Sequence, residues 1–422
     1  MPDYKAPRGT LDVLPFDTAK WQYVESQFRK ICKNYGFSEI RTPTFEHTEL
    51  FTRNLGESTD VVSKEMYTFQ TKGDKSLTLR PEGTAPTMRA FVEHNLDSRL
   101  PFTKLYYIAR LFRYERPQAG RYREHTQLGI ECVGISSPEI DAEIISLAIN
   151  FIESIGIKEY ELKINSIGCP ECRPKYKEAL MEYSKNYFEE LCPTCKIRFE
   201  TNPLRMLDCK EEGCRKIFAN APSLKDNLGE ECSAHFAKVR AGLDRLGIKY
   251  KVDNNLVRGF DYYTKTAFEI TPKTGLGSQD AIGGGGRYDN LISELGHTQI
   301  PSIGFGMGLE RLILTLNALE IELPIDKSPD CYIVAAGDQA QEISLELAND
   351  LRKIGIKTET DFTRRSIKAQ MKTAGKLCAK YAIILGDNEI ESQTATIKSM
   401  ADSNQEQVAF ADMKEYLKIN LV

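Results

Sequence analysis

The sequence predicts an α+β domain built on antiparallel strands, a helical cysteine-rich insertion within it, and a small α/β domain at the C-terminal end. Three observations carry this prediction. Residues 111–131 have the pattern of a long β-hairpin, seven of the eleven cysteines crowd into residues 169–232, and strand and helix patterns alternate beyond residue 330. At 422 residues, the chain has the length of two or three domains.

Charge and hydropathy narrow the class of protein. The formal net charge is −4, so a polyanion such as nucleic acid would have to be held by local patches of basic residues. The first ten residues, "MPDYKAPRGT", lack the features of a signal peptide, and no apolar run approaches the ~20 residues of a membrane span. We therefore expect a cytoplasmic protein with no membrane segment.

The first domain is predicted to open with a helix, because apolar residues from Trp21 to Ile31 recur at helical spacing and Gly36 ends the pattern. "FSEIRTPTFEHTELF" then predicts a strand that ends at Pro43, followed by an irregular segment. "SLTLRPEGTAPTMRAFVEHNL" predicts a strand, a turn and a helix. The hairpin comes next, and a helix near residues 138–155 follows it.

Beyond the cysteine-rich segment, three stretches complete the first domain. "LVRGFDYYTKTAFEIT" predicts a strand pair, "GGGGRYDNLISEL" a glycine turn that leads into a helix, and "PSIGFGMGLERLILTLNAL" a strand that runs into another helix. Residues 324–330, "PIDKSPD", have the composition of a linker. The alternating strands and helices after this linker indicate the small α/β domain.

The hairpin "LFRYERPQAGRYREHTQLGIE" has one polar and one apolar face. On its second strand the odd positions include His125, Gln127 and Glu131, whereas the even positions are mostly apolar. Two interpretations stay open for the odd face, a solvated surface and a binding surface. Glu131 favours the second, since it lies deep in the strand between Ile130 and Cys132.

The tip of the hairpin is basic, with arginines at positions 113, 116, 121 and 123. Each guanidinium group can bind two phosphate oxygens at once, so this cluster of arginines is similar to a triphosphate clamp. The sequence contains no G-x-x-x-x-G-K-[ST] pattern. If the protein binds ATP, it therefore does so without a P-loop.

Three further segments contain charged or polar residues that could bind a ligand together with the hairpin. "RPEGT" puts Glu82 and Thr84 at a turn, where a carboxylate can receive an ammonium group. Arg258 stands among apolar residues in "LVRGFDYYT" and needs an anionic partner, either Asp261 or Glu269 within the protein or a substrate phosphate. In "GFGMGLERL", an arginine at position 311 falls in the first turns of a helix. Each of these residues, taken singly, also has a structural explanation.

Together, in order and over nearly the whole chain, these segments resemble the class II aminoacyl-tRNA synthetases, and within them the histidyl-tRNA synthetase family. "FSEIRTPTFEHTELF" is similar to motif 1, the hairpin to motif 2 and "GFGMGLERL" to motif 3. "LVRGFDYYT" and "GGGGRYDNL" are similar to the two histidine-specific signatures. Motifs 2 and 3 indicate only the class, whereas "LVRGFDYYT" is particular to the histidyl branch.

The resemblance implies a class II synthetase-like catalytic domain built on an antiparallel sheet at residues 1–325, interrupted by a helical cysteine-rich insertion at 168–240. It also implies an α/β anticodon-binding domain at 330–422. The implied activity is that of a histidine–tRNA ligase, which forms histidyl-adenylate from L-histidine and ATP with Mg²⁺ and transfers the histidyl group to the 3′ end of tRNA(His). Because motif 1 lies at a two-fold interface in the family, a homodimer is expected.

The resemblance also assigns roles to residues. Arg113 and Arg258 would be catalytic, since both would stabilise charge at the ATP α-phosphate. His125 stands where the family usually has a phenylalanine that stacks on adenine, and its ring offers a flat face for the same contact. The full implied sets are Arg113, Glu115, Arg121, His125 and Arg311 for ATP, and Glu82, Thr84, Gln127, Glu131, Arg258, Tyr262, Tyr263 and Tyr288 for histidine.

The cysteines suggest a metal site. Cys169 and Cys172 form one C-x2-C pair and Cys192 and Cys195 a second, and the intervening residues 173–191 give the spacing of a structural Zn²⁺ site. Reduced thiols in a helical insertion are the alternative, and disulfides are not expected in the cytosol. A second set, which could form another site, consists of Cys209, Cys214, Cys232 and His235.

The sequence leaves two alternatives to this function. One alternative is a regulatory subunit of ATP phosphoribosyltransferase, a non-catalytic relative that typically lacks the anticodon-binding domain; the other is a class II synthetase for another amino acid, such as proline or threonine.

In the C-terminal domain, Lys368, Lys372, Lys376 and Lys380 recur every four residues and predict a basic stripe on an amphipathic helix. Such a stripe is either a solvated face or a surface that follows tRNA phosphates.

Overall fold

The computed structural model describes residues 4–55, 59, 61–98, 100–209, 211–257, 260, 262–273 and 281–421, which contain both strands and helices. The chain divides into two compact units, residues 1–323 and residues 324–422. No helix within the described ranges has the length and apolar character needed to cross a membrane.

The strands of the first unit are β1 (Ser38–Glu39), β2 (Phe45–His47), β3 (Tyr67–Gln70), β4 (Ser76–Leu79), β5 (Thr103–Phe112), β6 (Glu124–Val133), β7 (Tyr160–Ser166), β8 (Lys251–Val252), β9 (Thr264–Pro272), β10 (Gly283–Arg287) and β11 (Ser302–Gly308). Its helices are α1 (Pro15–Asn34), α2 (Thr48–Leu55), α3 (Thr84–Glu93), α4 (Pro138–Ser154), α5 (Arg173–Lys185), α6 (Pro193–Thr201), α7 (Glu212–Phe218), α8 (Glu230–Arg245), α9 (Leu291–Glu294) and α10 (Leu309–Ala318).

The main sheet confirms the predicted antiparallel architecture. Its strands follow the order β1-β5-β6-β11-β10-β9-β7-β8, and only the two edge pairs, β1 with β5 and β7 with β8, are parallel among the described strands. β2, β4 and β3 form a small separate sheet. The hairpin strands β5 and β6 are hydrogen-bonded over their whole length, from Thr103 opposite Val133 to Phe112 opposite Glu124.

One face of the main sheet is covered by helices α1, α4, α8 and α10. Apolar residues at even positions of β6, such as Leu128 and Ile130, are buried on this face with Phe28, Phe151 and Leu312. Because successive side chains on a strand point to opposite faces, the odd positions of β6 are left for the other face. That opposite face carries the site described below.

Local structure differs from the sequence prediction at three places. The segment after Pro43 is not irregular but forms β2, which pairs with β4, and then α2. "GGGGR" is not a turn but the strand β10 between β9 and β11, where a Cβ at Gly285 would lie only 2.0 Å from the Gly304 carbonyl oxygen. "LVRGFDYYTKTAFEIT" supplies one described strand, β9, rather than a strand pair.

The second unit has its own sheet and core. Its strands are β12 (Cys331–Ala335), β13 (Thr358–Thr360), β14 (Tyr381–Leu385), β15 (Thr394–Ser399) and β16 (Gln405–Ala409), and its helices are α11 (Asp338–Lys353), α12 (Ile367–Lys376), α13 (Asp387–Glu391) and α14 (Met413–Asn420). The sheet order is β13-β12-β14-β15-β16, parallel in the first three strands and antiparallel in the rest. The predicted α/β fold is confirmed.

Candidate active site

A cavity of about 940 Å³ opens on the face of the main sheet that carries the odd positions of β6. Eleven of the residues predicted for the ATP and histidine sites line this cavity: Glu82, Thr84, Arg113, Glu115, Arg121, His125, Gln127, Tyr262, Tyr263, Tyr288 and Arg311. Glu131 contacts two of them. Arg258 lies outside the described residues, as does Asp261, one of its suggested partners.

Glu131 forms the buried acidic end of the cavity. It is 1% exposed, and its carboxylate accepts hydrogen bonds from the Thr84 hydroxyl at 2.7 Å, from the Tyr107 hydroxyl at 3.4 Å and from the Tyr288 hydroxyl. Burial raises the pKa of Glu131 well above its ordinary value, although the hydrogen bond from Thr84 opposes this shift. A hydrogen-bond donor or a cation that entered here would meet a carboxylate already oriented by three hydroxyls.

Space above Glu131 depends on the glycines of β11. Gly304 lies directly opposite Glu131 in the sheet register. A Cβ at position 304 would lie 2.2 Å from a Glu131 carboxylate oxygen and 2.7 Å from the Tyr288 hydroxyl. The alternating glycines of "GFGMG" therefore keep this end of the cavity clear of side chains.

A second carboxylate, Glu82, lies at the start of α3. It accepts hydrogen bonds from the backbone N–H groups of Thr84 at 2.7 Å and Ala85 at 2.8 Å, which are donors that the first turn of a helix leaves free. Burial raises the pKa of Glu82, and these two backbone bonds oppose the shift. The "RPEGT" turn thus holds a carboxylate rigidly at the cavity wall.

Arginines line the opposite end of the cavity. Arg113 follows the last residue of β5, and its Nε donates to the Pro81 carbonyl oxygen at 2.8 Å. Arg121 forms an ion pair with Glu115 at 3.2 Å, and Arg311 donates from Nε to the Gly120 carbonyl oxygen at 2.9 Å. Burial, together with the nearby charge of Arg121, lowers the pKa of Arg311. Three cationic groups thus converge where an anion of high charge would be held.

The strand β5 ends at Phe112, so Arg113 and Glu115 lie in the loop beyond it. One backbone bond, from Arg113 N–H to the Arg123 carbonyl oxygen, continues the pairing before the chain leaves the ladder. The "RPQAG" tip then closes through a single bridge between Gln118 and Arg121.

Between the two ends lie His125 and a group of aromatic rings. Burial, with the charges of Arg113 and Arg311, lowers the pKa of His125 to about 3, so its ring is neutral at pH 7. The Arg113 guanidinium lies 5.7 Å from the centre of the Phe260 ring, which is stacked on Tyr262. Three tyrosines, Tyr262, Tyr263 and Tyr288, pack against one another with ring centres 4.7 to 6.2 Å apart.

Tyr107 and Glu310 are among the cavity residues that sequence reasoning missed. Tyr107 bridges the acidic end, since its hydroxyl donates to the Gln127 side-chain oxygen at 2.8 Å as well as to Glu131. The odd position of Tyr107 on β5, which corresponds to the polar face of the hairpin, was the signal in the sequence that could have identified it. Glu310 precedes Arg311 at the start of α10, is 4% exposed, and accepts from the Thr126 N–H at 2.7 Å. Burial raises the pKa of Glu310 to about 7.

The cysteines are grouped differently from the sequence prediction. Cys192 and Cys195 lie not with the other C-x2-C pair but with Cys209 and Cys214, and Cys169 and Cys172 lie with Cys232. Spacing along the chain could not distinguish these groupings, because α5 and α6 fold back and bring distant cysteines together. His235 belongs to neither group: its Nε2 is 2.8 Å from the buried carboxylate of Asp141.

Comparisons with known proteins agree with this geometry. The family model described as histidyl-tRNA synthetase matches residues 9–312, and the anticodon binding domain model matches residues 330–420. A histidine–tRNA ligase from Caldanaerobacter subterraneus subsp. tengcongensis is 51% identical over 414 residues, covering 98% of this chain and 99% of its own length. One from Thermoanaerobacter pseudethanolicus is 50% identical over the same shares.

Among solved structures, the crystal structure of apo S. aureus histidyl-tRNA synthetase superposes with a TM-score of 0.84 at 40% identity. The match covers 98% of this chain and 100% of the S. aureus chain. The family match spans most of the first unit, and the identities extend over both units. The chain therefore belongs to the histidyl-tRNA synthetase family of class II aminoacyl-tRNA synthetases.

Proposed function

We propose that the cavity activates L-histidine with ATP and transfers the histidyl group to tRNA(His), the reaction of a histidine–tRNA ligase. The observation that carries this proposal is the distribution of charge in the cavity, with the buried Glu131 carboxylate at one end and three convergent arginines, accompanied by Glu115 and Glu310, at the other. The ammonium and imidazole groups of histidine can face one end of the cavity while its carboxylate faces the other, and ATP carries its negative charge on the triphosphate. Bound end to end, the two substrates match this polarity.

The acidic end would bind histidine. Glu131, Tyr263 and Tyr288 are proposed to contact the imidazole, and Glu82, Thr84 and Gln127 to surround the α-amino group. An amino acid without a hydrogen-bonding side chain would leave the buried Glu131 carboxylate with one partner fewer, which costs roughly 1–3 kcal/mol. Discrimination would therefore come from this carboxylate and the hydroxyls that orient it.

The arginine end would bind ATP. Arg113 is proposed to hold the α-phosphate, Arg121 and Arg311 the β- and γ-phosphates, and Glu115 the edge of adenine. The neutral ring of His125 is half-buried and lines the cavity, so it is suited to stacking on the base. In this arrangement the α-phosphate would lie near the centre of the cavity.

In the first step, a histidine carboxylate oxygen attacks the α-phosphorus in line, a P–O bond forms, and pyrophosphate leaves. In the second, the terminal ribose hydroxyl of tRNA attacks the carbonyl carbon and AMP leaves. The protein would contribute position and charge: Arg113 and Arg258 would balance the negative charge that develops on the α-phosphate.

Mg²⁺ would neutralise phosphate charge during the first step. Glu310 fits such a cation, because its second carboxylate oxygen, Oε2, is buried with no hydrogen-bond partner in the described part of the chain. Glu269 also lines the cavity. These two carboxylates would hold the ion beside the triphosphate.

The remaining proposals concern the whole chain. We propose residues 1–325 as the catalytic domain, residues 168–240 as its insertion, and residues 330–422 as the anticodon-binding domain. We also propose that the chain forms a homodimer through motif 1 and is cytoplasmic. The insertion is proposed to contain structural Zn²⁺. The anticodon binding domain match supports tRNA as the macromolecular partner.

ATP–pyrophosphate exchange, measured with each of the twenty amino acids in turn, tests the proposed function. Exchange should depend on histidine alone and should be lost in Arg113→Ala. If proline or threonine supported exchange instead, the chain would be a synthetase for another amino acid. Exchange with none of them would favour the regulatory-subunit alternative.

A further inference from the structure

Four cysteine side chains converge beside the cavity: Cys192, Cys195, Cys209 and Cys214. We infer that these four, which we call the four-cysteine cluster, bind one Zn²⁺ ion, and that this ion fixes residues 203–209 and 211–219 as one wall of the cavity. The inference is independent of which amino acid the cavity activates.

The spacing of the sulfur atoms fits a tetrahedral metal site. All four lie within 4.8 Å of one another, and the sulfurs of Cys192 and Cys209 are 3.7 Å apart. Four thiolates at about 2.3 Å from one Zn²⁺ lie about 3.8 Å apart at the tetrahedral angle. A disulfide would require about 2.05 Å. The four-cysteine cluster therefore has the dimensions of a closed zinc site.

Backbone N–H groups point at the sulfurs. Cys192 caps α6, and its sulfur accepts from the Cys195 N–H at 3.4 Å, while the sulfur of Cys214 accepts from the Cys192 N–H at 3.3 Å. Such N–H···S bonds orient metal-bound thiolates and spread their negative charge. Cys195, Cys209 and Cys214 are buried, so the cluster is shielded from solvent as a structural site requires.

The other cysteine group is a natural comparison. Cys169, Cys172 and Cys232 also lie together, with the first two sulfurs 3.4 Å apart. This group offers three cysteine ligands and no fourth His, Cys, Asp or Glu ligand within the same spacing in the described ranges. It provides a matched control from the same segment.

The four-cysteine cluster joins the wall to the rest of the insertion. Cys209 directly follows the 3₁₀ turn Pro203–Asp208 and Cys214 lies within α7, while the other two members belong to the start of α6. Arg205, Glu212 and Lys216, which line the cavity, all belong to this wall. A short 3₁₀ turn and a seven-residue helix have little stability alone. A metal cross-link would supply the missing constraint.

Elemental analysis of the full-length untagged protein, expressed with zinc and purified under reducing conditions, tests the inference. The wild type should hold about one Zn²⁺ per chain more than Cys209→Ser, whereas Cys172→Ser should retain that ion. A wild type without zinc, or equal zinc in the wild type and Cys209→Ser, would overturn the inference.

Two measurements on the wild type avoid dependence on a variant that fails to fold. Anaerobic titration of the metal-free chain with Co²⁺ should give the absorption bands of a tetrahedral thiolate site, and their absence contradicts the four-cysteine cluster as a ligand set. Removal of the metal should increase tryptic cleavage after Arg205, Arg215 and Lys216 by about tenfold, since local opening exposes the backbone. Unchanged cleavage there would contradict the role of the ion in the wall.

Discussion

Gly304 and Glu131 face each other across two central strands, and the space between them exists because position 304 has no side chain. We predict that Gly304→Ala reduces histidine-dependent ATP–pyrophosphate exchange by at least about 100-fold, because its Cβ would displace the buried carboxylate. The KM for histidine should rise much more than that for ATP.

Gly73→Ala is the control for this substitution, since a Cβ at Gly73 would meet nothing within 4 Å. It should leave both KM values unchanged. Equal effects of the two variants, or a Gly304→Ala variant with normal histidine KM, would show that the space above Glu131 is not where histidine binds.

Glu310 should make the ligand-free protein less stable as pH rises. Its folded-state pKa of about 7 lies above the ordinary value of 4.5, so the stability it contributes is complete below pH 4.5 and is lost as pH rises through 7. Glu310→Gln keeps the acceptor for the Thr126 N–H but cannot ionise. It should be more stable than the wild type by only about 1 kcal/mol at pH 5 and by up to about 3 kcal/mol at pH 8.

Thermal midpoints at pH 5 and pH 8, without ATP or metal, measure this difference. Glu322→Gln, at an exposed position of the same unit, serves as the control and should follow the wild type. A Glu310→Gln midpoint that parallels the wild type at both pH values would mean that burial does not shift the ionisation of Glu310.

At the scale of elements, one buried carboxylate joins four elements of the first unit. Asp141 on α4 accepts hydrogen bonds from Arg287 on β10 at 2.6 Å and from Thr266 on β9 at 2.5 Å, and it lies 2.8 Å from His235 on α8. Burial by itself would raise the pKa of Asp141, but the bond to His235 and the charge of Arg287 outweigh it and lower that pKa. Asp141 thereby holds α4 and α8 on the sheet behind the cavity.

Removing only one partner of the Asp141–Arg287 ion pair should destabilise the folded protein. Arg287→Met would leave Asp141 buried without its cation, and we predict a loss of about 3–5 kcal/mol in the free energy of unfolding. Asp141→Asn combined with Arg287→Met removes both charges and should recover part of that loss. Thermal unfolding of the two single variants and the double variant measures the coupling, and strictly additive losses would argue against a paired junction.

At the scale of the whole molecule, the basic stripe lies in the second unit. Lys368, Lys372 and Lys376 are exposed on α12, but Lys380 lies beyond the helix and forms ion pairs with Asp326 and Asp330. The stripe therefore has three members rather than the four that the spacing predicts. The fourth is paired with acidic groups at the start of its own unit.

Replacing the three stripe lysines by alanine should weaken tRNA binding and reduce the slope of log K against log [salt] by about 2–3, since each phosphate contact contributes close to one. ATP–pyrophosphate exchange should be unchanged, because the cavity lies in the first unit. Lys418→Ala, on α14 of the same unit, is the control. Unchanged salt dependence in the triple variant would assign the stripe to a solvated face.

The sequence by itself determined the antiparallel hairpin and its polar face and the α/β character of the second unit, and its motifs named eleven of the residues that line the cavity. Each of these depends on local periodicity or on a short motif. Tertiary structure decided which cysteines meet, that "GGGGR" is a central strand, and that Tyr107 and Glu310 belong to the cavity. These features depend on pairing between segments far apart in the chain, and no local pattern records which distant segment will be the partner.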